Sequence, residues 1–153
     1  MNPLNKEKLE LLASTIEKQK HNTGNDGVNP RDAVEGFTMV CVQHTCGTPA
    51  CIAGYAYSLA VASVDDEAKD YIEHNRNWYN VASSWLNDTL EPDGYTRVAY
   101  NVLTNLFEPR THTIRTDDWY DITPAQAAKV IRHLADTGEV DWSIIEEEVA
   151  ATE

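Results

Sequence analysis

Apolar residues recur at helical spacing along most of this chain. In residues 5–20, Leu9, Leu12, Ala13 and Ile16 fall at i, i+3, i+4 and i+7, with Lys and Glu on the other faces. That is the stripe of an amphipathic helix. The pattern stops in residues 21–36, which are rich in Asn, Gly and Asp and hold Pro30; they read as a long loop. Phe37 to Gln43 is β-branched and apolar and reads as a short strand. After a turn at His44 to Thr48, Thr48 is a suitable N-cap and Pro49 a suitable first helical residue. The spacing then predicts a helix over 50–63, built largely from small residues. Such a helix packs close to its neighbours and belongs at the centre of the core. Gly54 within it costs about 1 kcal/mol relative to Ala, which close backbone packing offsets.

Further helices are predicted at 65–74 and 77–87, the second with Trp78, Val81, Ala82 and Trp85 on one face. Another is predicted at 95–107, with Val98, Val102, Leu103 and Leu106 inward. The clearest start lies at Thr123-Pro124-Ala125-Gln126, a capping box with proline in the first turn. That helix runs to about Asp136, and Gly138 stops it. Asp141 or Ser143 opens a last, acidic helix over 143–153. The expected fold is a mainly α, single compact helical domain spanning 1–153, with at most a small β element near 37–43. Its parts are an N-terminal helix, a loop at 21–36, a core at 37–142 and the acidic C-terminal helix.

Composition adds one strong constraint. The chain has 153 residues, 42% of them hydrophobic and 24% charged, and a net charge of −13. That length suffices for a core without disulfides or metals. The charge argues against direct contact with nucleic acid or with an anionic membrane surface, both of which select basic faces. It favours a protein partner with a basic face, or serves solubility alone. Residues 1–20 are amphipathic rather than signal-like, and no apolar run is long enough to span a bilayer. A cytoplasmic location follows as the expectation, with reduced thiols.

The densest chemistry lies in Cys41 to Gly54. Cys41, His44, Cys46 and Cys51 form Cys-x2-His-x-Cys-x4-Cys, four ligands of the right softness for zinc but not at a standard zinc-finger or ribbon spacing. Alternatively, Cys46 or Cys51 is a nucleophilic thiol near a helix start, with a base from His44, close in sequence, or from His112 or His133, which the fold would have to bring near. In that reading Cys51 is the third helical residue. The plain structural reading is that Gly47 turns the chain, Thr48 caps, Cys51 and Ala53 pack, and Gly54 permits close approach. No cofactor is implied beyond the zinc option. His44-Thr45 and His112-Thr113 lack the hydroxyl two residues on that a paired His-x-Thr phosphoesterase needs; Cys46 and Ile114 stand there.

Cys46-Gly47-Thr48-Pro49-Ala50-Cys51-Ile52-Ala53-Gly54 resembles the Cys-Gly-Thr-x-x-Cys-Ile/Leu-Ala-Gly block of small uncharacterised proteins of phages, prophages and bacteria. Ile122-Thr123-Pro124-Ala125-Gln126-Ala127-Ala128, with Gly138 and Val140-Asp141-Trp142, resembles their C-terminal helix and tail. Tyr55 departs from the pattern, which often has Trp or His there. The resemblance implies phage or mobile-element biology, hence a host cytoplasm, and implies no reaction. The function expected is that of an accessory protein that binds another protein through its acidic surface, nucleic-acid mimicry being one form. Candidate partner-binding residues are Asp65, Asp66 and Glu67 and, in a second cluster, Asp117, Asp118 and Asp121. A Cys/His-dependent enzyme or thiol sensor and a zinc-stabilised module are the alternatives. Nothing in the sequence sets the oligomeric state.

Overall fold

Helix formation follows the apolar stripes. The computed structural model describes residues 5–21, 36–39, 49–75, 78–86, 105–109, 119 and 121–145. These are 71% helical and contain no strand, so the chain is a mainly α single domain. Among the described residues five helices carry it: α1 (Lys6–Glu17), α2 (Ile52–Ala62), α3 (Asp66–Asn75), α4 (Trp78–Leu86) and α5 (Pro124–Thr137).

Helix α2 has almost no solvent face. Ile52 through Tyr57, Ala60 and Val61 are all buried, which covers the whole circumference of its first turns. A helix apolar all round belongs in the interior. Helix α4 packs closely along it, and α1 and α3 add smaller contacts. Val81, Ala82 and Trp85 of α4 are buried, as the predicted face required, and so are Ser83, Ser84 and Leu86; the side chain of Trp78, the fourth residue of that face, lies outside the described residues.

Helix α1 buries Leu9, Leu12, Ala13 and Ile16, all at 0% exposure. Its main partner is α5, in the most extensive helix pairing among the described elements. Helix α5 answers with Ala127, Ala128, Val130, Ile131, Leu134 and Ala135. Burial of each large aliphatic side chain in this seam contributes about 1.5–3 kcal/mol. At the seam's edge Arg132 closes a fork. Its guanidinium donates to the Glu10 carboxylate at 3.0 Å and to that of Glu17 at 2.7 Å. Both carboxyls are held below the usual carboxylate range, chiefly by those hydrogen bonds. At its other end α1 is tied to the C-terminal end of α4. Asn5 N–H donates to the Leu86 carbonyl at 2.7 Å, and Lys8 Nζ donates to the Trp85 carbonyl at 3.0 Å. Lys8 Nζ also lies 5.4 Å from the centre of the Trp85 ring. A cation there faces the negative pole of α4 and the face of an indole at once.

The helix ends show where local signals held. Asn5 caps α1 by accepting from Lys8 N–H at 3.0 Å. The capping box at Thr123 is complete: Gln126 N–H donates to Thr123 Oγ1 at 3.1 Å, and Thr123 N–H to Gln126 Oε1 at 2.9 Å. Gly138 ends α5 in the left-handed region at φ 79°. Asp141 accepts from Ser143 N–H at 2.9 Å and opens a helical turn at residues 143–145. The rest of the expected acidic C-terminal helix, and most of that expected at 95–107, lie outside the described residues.

One start is corrected. Helix α2 begins at Ile52 rather than at Pro49, and Cys51, not Thr48, stands at the N-cap position. The reason is tertiary. Thr38 N–H donates to the Ala50 carbonyl at 3.0 Å, which engages that oxygen across the chain. Pro49 then sits in a β-bridge rather than in a first turn. The expected strand is likewise reduced. Within residues 36–39, Phe37 makes a single parallel bridge to His21, its N–H donating to the Lys20 carbonyl at 2.7 Å. Residues 40–43 lie outside the described residues. Phe37 is buried and stacks on Tyr55 of α2, with ring centres 6.4 Å apart.

Thr123→Ala should cost about 1 kcal/mol in denaturant unfolding, and Thr123→Ser much less, because only the alanine removes the acceptor. Equal stability of all three would mean that α5 does not depend on this cap. The Arg132 fork makes a pH-dependent contribution. Glu10 and Glu17 have carboxyls lowered in the folded state, so their stabilisation is present above the ordinary carboxylate range and lost as pH falls through the lowered values. Arg132→Gln should therefore be slightly less stable than wild type at neutral pH, and the gap should shrink as pH falls below the ordinary carboxylate range and in high salt. A gap independent of pH would place the effect of Arg132 in packing.

Candidate functional site

The cysteine block is represented among the described residues by Cys51 alone. It is a buried thiol, 3% exposed, in extended backbone at φ −100°. Its carbonyl accepts from Tyr55 N–H at 2.9 Å, and its side chain makes no capping hydrogen bond. It is therefore not the third residue of the helix but the residue before the first. Cys41, His44 and Cys46 lie outside the described residues, as does His112. No group of three or more metal-ligating side chains gathers among the described residues.

The acidic candidates separate by position. Asp65 accepts from Ala68 N–H at 2.8 Å and so caps α3. Its carboxylate already has a structural task. Asp66 and Glu67 are exposed in the first turn of α3. They complement the positive pole of the helix. Asp121 is half-buried beside Ile122, just before the α5 cap. Asp117 and Asp118 lie outside the described residues. Of the two clusters, the one on α3 is thus the one whose surroundings are visible. It continues through Asp70 and Glu73, also exposed, so α3 presents four carboxylates against the single ammonium of Lys69. Ala68 and Ile72 hold the opposite face in the core.

Between α2 and α3 lies an open cleft of about 410 Å³. Tyr57 and Val61 of α2, with Val64 of the connecting turn, line one side; Asp66, Lys69 and Glu73 of α3 line the other. Positions 66, 69 and 73 follow i, i+3, i+7 and so fall along one flank of the helix. Tyr57 is 8% exposed as a whole, and its hydroxyl meets solvent; the one buried side-chain oxygen without a partner among the described residues is Ser83 Oγ of α4. Burial, and next the charge of Glu73, push the Tyr57 phenol above the ordinary tyrosine value. Lys69 has helical spacing to both carboxylates but forms an ion pair with neither among the described residues. Asp66 and Glu73 therefore face the cleft uncommitted. The sequence carried a trace of this site: a tyrosine in a helix otherwise rich in small residues, followed by charges at helical spacing.

The tryptophans are structural where they are described. Trp85 and Trp142 are buried, and Trp119 packs on the core. Trp142 Nε1 donates to the Asn105 carbonyl and Trp119 Nε1 to that of Pro109, each at 2.8 Å. Together they tie the ends of α5 to residues 105–109. Among the described residues no helix is long and apolar enough to cross a membrane.

No protein-family model matches this chain, and no curated protein or solved structure is detectably similar to it.

The burial of Cys51 has a measurable consequence. In a variant whose only cysteine is Cys51 (Cys41→Ala, Cys46→Ala), a bulky thiol reagent should react at least about a hundredfold more slowly in buffer than in denaturant, because access requires opening of the α2 start. Rapid labelling of the folded protein would instead mark Cys51 as an available thiol.

Proposed function

We propose that this chain is an accessory protein of the phage or mobile-element kind that acts in the host cytoplasm by binding a basic face of another protein. The observation that carries the reading is the exposed acidic face of α3 in a chain of net charge −13. Charge of this density steers association with a basic partner and repels nucleic acid and anionic membranes. Occupying the nucleic-acid site of a host protein is one form of such binding. The two motif blocks support the phage assignment by resemblance. Asp66, Glu67, Asp70 and Glu73 form the contact surface in this reading, and Asp65 orders it by capping the helix.

The test is capture of partners from host lysate at low and high salt, followed by affinity measurement on the captured protein. Binding should weaken as salt rises. Neutralising α3 (Asp66→Asn, Glu67→Gln, Asp70→Asn) should weaken it by about tenfold or more, whereas neutralising Glu146, Glu147 and Glu148 should have a smaller effect. A partner whose affinity ignores salt would overturn the reading. So would a folded Cys46→Ser or Cys51→Ser variant that loses all biological effect, which would favour thiol chemistry. Metal analysis of the purified protein tests the zinc-stabilised alternative: about one zinc per chain, lost on replacing Cys46, would establish it.

A further inference from the structure

We draw no further inference here: the strongest candidate, the Ser83 hydroxyl on the buried stretch of α4, is the one buried side-chain oxygen without a partner among the described residues, but it does not line the hollow between α2 and α3 and nothing in the structure shows what would meet it.

Discussion

Helix α2 cannot face water, and the rest of the described structure is arranged around that constraint. Its buried residues leave only a narrow exposed strip at Ser58 and Ala62. Exposing the remainder would forfeit the apolar burial of seven side chains, among them Ile52, Tyr55 and Val61. Ala53, Gly54, Ala56 and Ala60 keep the helix slim enough for neighbours to approach closely. Helix α4 provides the largest cover, Phe37 covers Tyr55, and α1 fills the remaining side. Helix α1 then has a second apolar edge of its own, and α5 closes it. The architecture is a sequence of coverings, each helix sheltering the one before it.

The amphipathic helices were legible because their signals are local. The stripe of α1 and the capping box of α5 involve residues three or four apart, and the observed contacts are those the spacing requires. Thr48-Pro49 is as good a local signal, and it was overruled. A hydrogen bond from Thr38 engages the Ala50 carbonyl, and no pattern within the block announces that. The Arg132 fork was hidden for the same reason, since it joins residues 115 and 122 positions apart. The cleft was half-visible. Charges at 66, 69 and 73 mark one flank of α3, but the sequence does not say that Tyr57 stands opposite. The Cys/His block drew attention by chemical density, and Cys51 turned out to be a buried position at the mouth of the central helix.

The negative charge is not a uniform coat. Glu10 and Glu17 are engaged by Arg132, Asp65 by the first turn of α3, and Asp141 by Ser143. These carboxylates fasten helices and their ends. Those of α3 beyond its cap are spread over one exposed face, with a hollow beside them. Fastening carboxylates and exposed ones thus occur side by side in a strongly acidic chain, and α3 carries four of the exposed ones on a single short helix.

The distance in sequence between α1 and α5 also bears on how the protein is made. On a ribosome adding about 5–20 residues per second, α1 emerges roughly 6–23 s before α5 is complete enough to cover it. During that interval Leu9, Leu12 and Ile16 have no partner from α5, and the apolar stripe of α1 is open to other hydrophobic surfaces. The nascent chain thus carries the α1 stripe open to aggregation or chaperone capture, and a stop codon or cleavage before Pro124 would make that temporary state permanent.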